Sequence, residues 1–426
     1  MQEGFEKCWN IRPRVSEGLT WGLTGLLGVG LVAFGASLQL DPIRAWQIYL
    51  VNFLFWAGLA QGGVVFAAVY HVVGAKWGAS IRRMAEGFAV FLPVSLIMFL
   101  PLFFGLRLFF DRVLELNPDR GAWFDPRFIF IRGVLGLGSM TVLSLFFVYY
   151  SLRPEVGLAL KQNLMPRRWF YDWLAEEWGG GELIEIQRSR RGMSVLAAGV
   201  LLAYPMIYSF MAFDLIMALD PFWYSSLFGG YFFISTFYLG LAGLAVVAVL
   251  IRRNLGISVV TDAHLSDLGK LLLGFDLTYV SMLWSQYIVI WYGNLPEETH
   301  FIVLRLWERP WAFLSWGVLI LSSLIPFLVF LSKRAKQIPW ILLTVSLLIA
   351  TGLWLERYVL IAPSIGQHGS LSFSLLEIGV TLGFLGAAGL SYLFFLKHFP
   401  VLPLIQLPVS AVPGETDVVE EVSPNV

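Results

Sequence analysis

The chain has 426 residues, of which 58% are hydrophobic and 14% charged, with 29 basic side chains balancing 29 acidic ones and a mean hydropathy of +0.73. Such a composition excludes a soluble globular domain and offers no basic excess for nucleic acid; it predicts an all-α, polytopic membrane protein solvated mostly by lipid. The single Cys8 rules out an internal disulfide, a cysteine-ligated iron–sulfur cluster and a CxxCH haem attachment within the chain.

Residues 1–18 are polar and mixed in charge, with no apolar core and no cleavage signal, and read as a cytoplasmic tail. Ten segments long enough to span follow, at 19–39, 46–73, 84–107, 128–151, 193–217, 226–250, 269–293, 311–332, 338–361 and 373–396. Placing both termini on one side puts 20 of the 29 Lys and Arg residues there. The positive-inside rule then makes both termini cytoplasmic.

In the second segment Gly58, Ala60, Gly62 and Gly63 permit close helix approach. Gln61 either packs there or faces a pathway. The third segment opens with Arg82, Arg83 and Glu86, at the i,i+4 and i,i+3 spacing of an ordinary helical ion pair; Glu86 is also the first carboxylate able to enter the membrane from the cytoplasmic side. Arg107 and Arg132 fall near the outer interface, where long side chains snorkel. The stretch 153–191 sets Trp169, Trp173 and Trp178 among charges, as a surface segment does.

Asp214 lies towards the outer face of the fifth segment, as do Glu356 and Arg357 in the ninth, and Glu377 opens the tenth. A pairing of Arg357 with Asp214 or Glu377 competes with an outer proton exit. A weak repeat relates Asp41-Pro42 and Gly58-Leu59-Ala60 to Asp220-Pro221 and Gly240-Leu241-Ala242. Its four-segment offset predicts two parallel-related four-helix bundles with one flanking helix at each end.

The seventh segment carries more chemistry than an anchor needs. At 100° per residue Asp276, Tyr279, Gln286 and Tyr287 share one face, while Thr278, Ser281 and Ser285 form a narrower seam suited to packing. Asp276 points away from Lys270, so no local partner is available and burial favours the neutral acid. Waters along this face extend a cytoplasmic half-channel towards Asp214 and Glu356; a salt bridge from Asp276 to Arg82 or Arg83 is the competing structural reading. Gly293 and Asn294 suit the helix end, and Pro296, Glu297 and Glu298 suit the start of a short outer surface helix over 294–309. After Lys397 a proline-containing acidic tail, 397–426, is predicted to be disordered.

The runs HLSDLGKLLLGFD (from His264) and WSQYIVIWYGNLPEET (from Trp284), together with the segments from Asn52 to Pro93 and from Asp220 to Gly240, resemble the NrfD-like family of polysulfide-reductase-type membrane subunits, in the ActF-type branch found in bacterial alternative complex III. The resemblance covers Trp46 to Pro363. It implies a ten-helix membrane subunit of a respiratory quinol:electron-acceptor (cytochrome c) oxidoreductase. Its partners would be a sister NrfD-like subunit, an iron–sulfur subunit and c-type haem subunits, with quinone or quinol as the lipid-soluble substrate of the assembly. All redox centres would then lie outside this chain, and the five histidines, in loops or near helix ends, predict no haem and no metal within it. The residues singled out for a proton path are Asp276, Tyr279, Gln286, Tyr287, Asp214, Glu356 and Glu86; no quinone-binding residue is assigned. Other readings are a quinol-binding anchor of another molybdopterin or iron–sulfur oxidoreductase, and a stand-alone secondary transporter.

Overall fold

Caps and apolar runs alternate along the sequence, and the computed structural model describes residue 13 and residues 15–116, 123–164, 169–175, 181–256, 259–365 and 374–402 as helices joined by turns and short irregular links, among which no strand occurs. Most of the two tails, and Trp178 with Gly179 and Gly180, lie outside the described residues. Ser16 caps α1 (Glu17–Leu40) by accepting from the Leu19 N–H, and Asp41 ends it and caps α2 (Pro42–Val72), whose first residue is a proline already set for a helix. The remaining helices are α3 (Ala79–Phe99), α4 (Leu102–Leu116), α5 (Pro126–Lys161), α6 (Trp169–Leu174), α7 (Glu182–Leu215), α8 (Phe228–Leu255), α9 (Asp262–Gly293), α10 (Pro296–Leu306), α11 (Trp311–Leu331), α12 (Lys333–Gln337), α13 (Pro339–Ile365) and α14 (Leu375–His398).

Eight of these are long and apolar enough to cross a membrane: α1, α2, α5, α7, α8, α11, α13 and α14; α3 with α4 makes a ninth, bent by 52°. The chain is a polytopic membrane protein. The bend falls at Pro101, which lacks the amide hydrogen needed to carry the helix through. The seventh predicted segment corresponds to α9. Its 32 residues reach about 48 Å at ~1.5 Å each, but its carboxylate, amide and hydroxyl groups hold it below the apolarity of the others. Sequence reading also ended the fourth segment too early and began the fifth too late, since α5 continues through Pro154 to Lys161 and α7 already starts at Glu182.

The most buried helix, α2, packs along α8 at the centre. Gly62 and Gly240 meet there, and a Cβ added to Gly240 would lie 2.4 Å from the Gly62 carbonyl carbon, so any side chain would force the helices apart. The small residues of the second segment therefore serve packing, and Gln61 is spent on a 3.1 Å hydrogen bond to Ser144 of α5. Around this axis α7 packs on α2 and carries α5, whereas α9 and α13 pack on α8 and α11 covers α9 and α13. Helices α1 and α14 pair at the flank, again through glycine, at Gly30 and Gly383.

Candidate functional site

Two buried groups of charge lie inside the bundle, one in each set of helices. The first is built by the start of α3 and by α5. Arg82 and Arg83 hold Glu86 at 3.2 and 2.9 Å, Arg83 also holds Glu155 at 2.6 Å, and Ser151 donates to Glu86 at 2.7 Å. These four charged side chains are at most 3% exposed and cancel as two cations against two anions. Nearby, Arg153 reaches Glu185 at 3.3 Å and ties α5 to α7. The pairing that the i,i+3 and i,i+4 spacing announced is formed, and Arg82 and Arg83 are thereby spoken for. The alternative reading, a bridge from Asp276 to either of them, is corrected.

The second group lies among α8, α9, α11 and α13. Glu356 and Arg357, adjacent on α13, pair with one another; Arg357 also donates to Ser235 at 2.8 Å and Thr236 at 3.2 Å and lies over the Phe232 ring at 4.3 Å. Tyr231 donates to Glu356, and its hydroxyl lies 3.4 Å from that of Tyr279. The expected pairing of Arg357 with Asp214 or Glu377 does not occur. Asp214 is held by Arg132 at 2.6 Å and Glu377 by Arg44 at 2.7 Å, each cation lying nearer its carboxylate in the helix packing.

Asp276 differs from every other carboxylate described above. Its side chain is buried, and neither carboxyl oxygen has a hydrogen-bond partner or a cation. It faces a break in α11, where residues Ile320–Leu324 form a π-turn. The cause is in the sequence: Pro326 has no N–H to give the Ser322 carbonyl four residues back, so that carbonyl is freed from the helix. Tyr238 of α8 takes it up, donating to it at 3.0 Å, while the Ser322 hydroxyl turns back to Val318 at 2.7 Å. Ser323 stands beside Asp276 without reaching bonding geometry. A lone carboxyl next to loosened helix backbone can take up or release a proton without breaking any existing bond.

One turn along α9 from Asp276 comes Tyr279, and through Tyr231 the row reaches Glu356. Glu356 and Tyr231 in turn help to line a cavity of about 150 Å³ that also receives Gln286 and Tyr287 of α9 and Arg305 of α10. Trp223 and Phe301, stacked on one another with centroids 3.7 Å apart, form part of its wall. The Gln286 amide nitrogen is buried and unpartnered, a vacant donor at the wall. Arg305 is fixed by the backbone carbonyls of Phe301, Val359 and Leu360 and by Ser364, and so clamps the surface helix α10 onto α13. The helix end before it follows the sequence reading: Asn294 takes a left-handed φ of 46° and donates to the Ile290 carbonyl, and Pro296 opens α10.

The structure thus links Tyr279 to Glu356 through Tyr231 and sets Glu356, Gln286 and Tyr287 on one cavity, with Asp276 one turn from Tyr279 on α9. Glu86 and Asp214 share no partner with Asp276 and sit in ion pairs elsewhere. The proposed packing seam of Thr278, Ser281 and Ser285 is corrected: each hydroxyl donates back to its own helix, at Gly274, Leu277 and Ser281 respectively, and Ser281 is exposed. Sequence reasoning missed Tyr231, Tyr238 and the Ser322-Ser323 turn; the signal available was a serine pair followed by Ile325-Pro326 inside an apolar helix. Among the described residues, no group of three or more His, Cys, Asp or Glu is placed to hold a metal ion. No family model matches the chain, and no curated protein matches it.

Proposed function

We propose that the chain is a ten-span membrane subunit of a respiratory quinol:electron-acceptor oxidoreductase, and that it scaffolds the assembly and conducts protons through its second helix group. In this reading α9 is the tenth span, α2, α3, α5 and α7 form one four-helix bundle and α8, α9, α11 and α13 its parallel relative, and both termini are cytoplasmic. Electrons pass through iron–sulfur and c-type haem subunits, with cytochrome c as acceptor, and the family is the NrfD-like one that the sequence resembles. The observation that carries the proton role is Asp276: a buried carboxyl with both oxygens unpartnered, at the head of a row of hydroxyls that ends on Glu356 and an open cavity. A carboxyl kept inside the membrane without a cation is costly unless it is neutral, and a neutral acid is a proton carrier.

Asp276→Asn tests this, because asparagine keeps the shape and cannot carry a proton. Quinol:acceptor turnover and proton uptake are measured in sealed vesicles holding the assembled complex. Sustained turnover with reduced proton uptake is the expected result; unchanged uptake removes Asp276 from the path. A second reading, a stand-alone secondary transporter, draws support from the broken helix facing Asp276, since transporter sites use interrupted helices. Purification in mild detergent separates the two: co-eluting haem and iron–sulfur subunits support the first, and a lone chain that binds a solute supports the second.

A further inference from the structure

A crevice of about 550 Å³ opens between the two helix groups, walled by α2, α3, α8, α13 and α14 and covered at one side by the start of α1. It lies apart from the Asp276 row. We propose that this crevice is a binding site for the acyl chain of one anionic phospholipid, held between the bundles rather than in the surrounding annulus.

Three observations select that occupant. The first is the wall chemistry. The polar side chains on the lining are few: Tyr392 donates to the Met84 carbonyl at 2.9 Å, Asn254, at the rim, donates to the Leu250 carbonyl at 3.0 Å, and the Trp56 indole N–H is a single donor left without a partner, too little to hold water. Water needs two to four polar partners to stay in a cavity, and an apolar cavity of ~150 Å³ already stays dry and takes up an apolar guest. This one is more than three times larger, and left empty it would forfeit the dispersion contacts of its whole lining. In a bilayer the available apolar filler is an acyl chain.

The second is depth. Along α8 the lining runs from Gly243 to Asn254, and along α14 from Leu385 to Leu396. Each run is about 16 Å at ~1.5 Å per residue, against about 15 Å for one leaflet of a ~30 Å hydrocarbon core. The crevice therefore accepts a chain that enters from one leaflet and stops near the midplane, where Gly62 and Gly240 close the helices together. Its mouth is lateral, because Leu19, Leu250, Leu347 and Leu385 line it and are also exposed.

The third is charge at the rim. Arg253, next in the chain to Asn254, is exposed and makes no ion pair with any described residue, whereas its neighbour Arg252 is held by Asp262 at 2.6 Å. An unpaired guanidinium at the level where a headgroup would sit favours a phosphate with net negative charge.

The test uses the full chain with whatever subunits purify with it, washed at length in mild detergent and then extracted for lipid. Phosphatidylglycerol should remain in a stoichiometric amount. Ala350→Phe and Ala388→Phe, which push rings into the crevice from α13 and α14, should each lower the retained amount roughly tenfold with elution unchanged. Equal retention in both variants, retention of prenyl quinone in place of phospholipid, or no retained lipid at all would each overturn the site, the last pointing to the chain's own N-terminal residues as the filler. Should the variants not fold, Trp56 on the crevice wall reports instead. The chain is equilibrated with phosphatidylglycerol brominated on its acyl chains and washed as before, and the emission missing from Trp56→Phe is taken as the Trp56 signal. That signal should stay quenched after the wash, and its full recovery overturns the proposal.

Discussion

The Arg82–Arg83–Glu86–Glu155 group in one set of helices and the Asp276 row in the other are both buried, yet they treat their carboxyls in opposite ways. In the first, each acid lies within 3.2 Å of a guanidinium, so the charges neutralise one another and lock α3 to α5. In the second, Glu356 is paired while Asp276 has no partner. The weak repeat puts Glu86 and Asp276 in related helices, and comparing them shows how to tell a structural acid from an exchangeable one. A structural acid has its full complement of donors and would lose bonds on protonation; an exchangeable acid would lose none.

That difference sets the largest expected effect. Glu86→Gln leaves the buried Arg82 guanidinium without an anion and Arg83 with Glu155 alone, and should destabilise the chain by about 3–5 kcal/mol, enough to reduce its yield. Asp276→Asn breaks no pair and should stay within about 1 kcal/mol, as substitutions that remove no contact do. Thermal unfolding in detergent, followed by the loss of monodisperse protein, ranks the two. Equal destabilisation would mean that Asp276 holds something and would erase the contrast.

A middle-sized effect sharpens the second region. Tyr238→Phe leaves the freed Ser322 carbonyl buried without a donor, a cost of about 1–3 kcal/mol, and loosens the turn that Asp276 faces. Tyr231→Phe should cost less, because Glu356 keeps Arg357, but it breaks the hydroxyl row and should lower proton uptake in sealed vesicles. If Tyr231→Phe leaves uptake at its original value, the row ends at Tyr279.

What could be read from sequence was local. Gly293-Asn294 and Pro296 announce a helix end and the next helix start because caps act within a turn or two, and Arg82, Arg83 and Glu86 announce their own pairing because i,i+3 and i,i+4 neighbours meet on any helix. The face of Asp276, Tyr279, Gln286 and Tyr287 was legible for the same reason. Partners on other helices were not: Asp214 chooses Arg132, and Glu377 chooses Arg44, through crossings that no single-helix periodicity encodes. Tyr231 and Tyr238 looked like two more aromatics in an apolar run, and only the packing of α8 against α9 and α13 gives their hydroxyls something to do. The hydroxyl seam failed differently. Thr278, Ser281 and Ser285 satisfy themselves on their own backbone, so their spacing carries no demand for a neighbour.

The smallest expected effect lies where the two regions join, at the start of α9. Thr261 and His264 form a capping box: the Thr261 hydroxyl accepts from the His264 N–H, and His264 Nδ1 accepts from the Thr261 N–H, both at 3.3 Å. A ring nitrogen accepts only while unprotonated, so this cap requires neutral imidazole. Burial pushes the His264 imidazole below its ordinary value of 6.5, against the smaller opposing pulls of the Trp77 backbone and the Asp267 charge. The fold therefore favours the neutral ring, and the sign follows: the contribution is full above 6.5, the value in the unfolded chain, and is lost as pH falls through the lower folded value. Its size is that of one cap, about 1 kcal/mol. Amide hydrogen exchange over residues 262–266 should be slow at pH 7.5 and, after correction for the intrinsic rate, several-fold less protected at pH 5. His264→Ala should show the low-protection value at both pH values. If the variant keeps the pH response of the native chain, some group other than His264 senses the acid, and the junction between the two regions is not the soft point of α9.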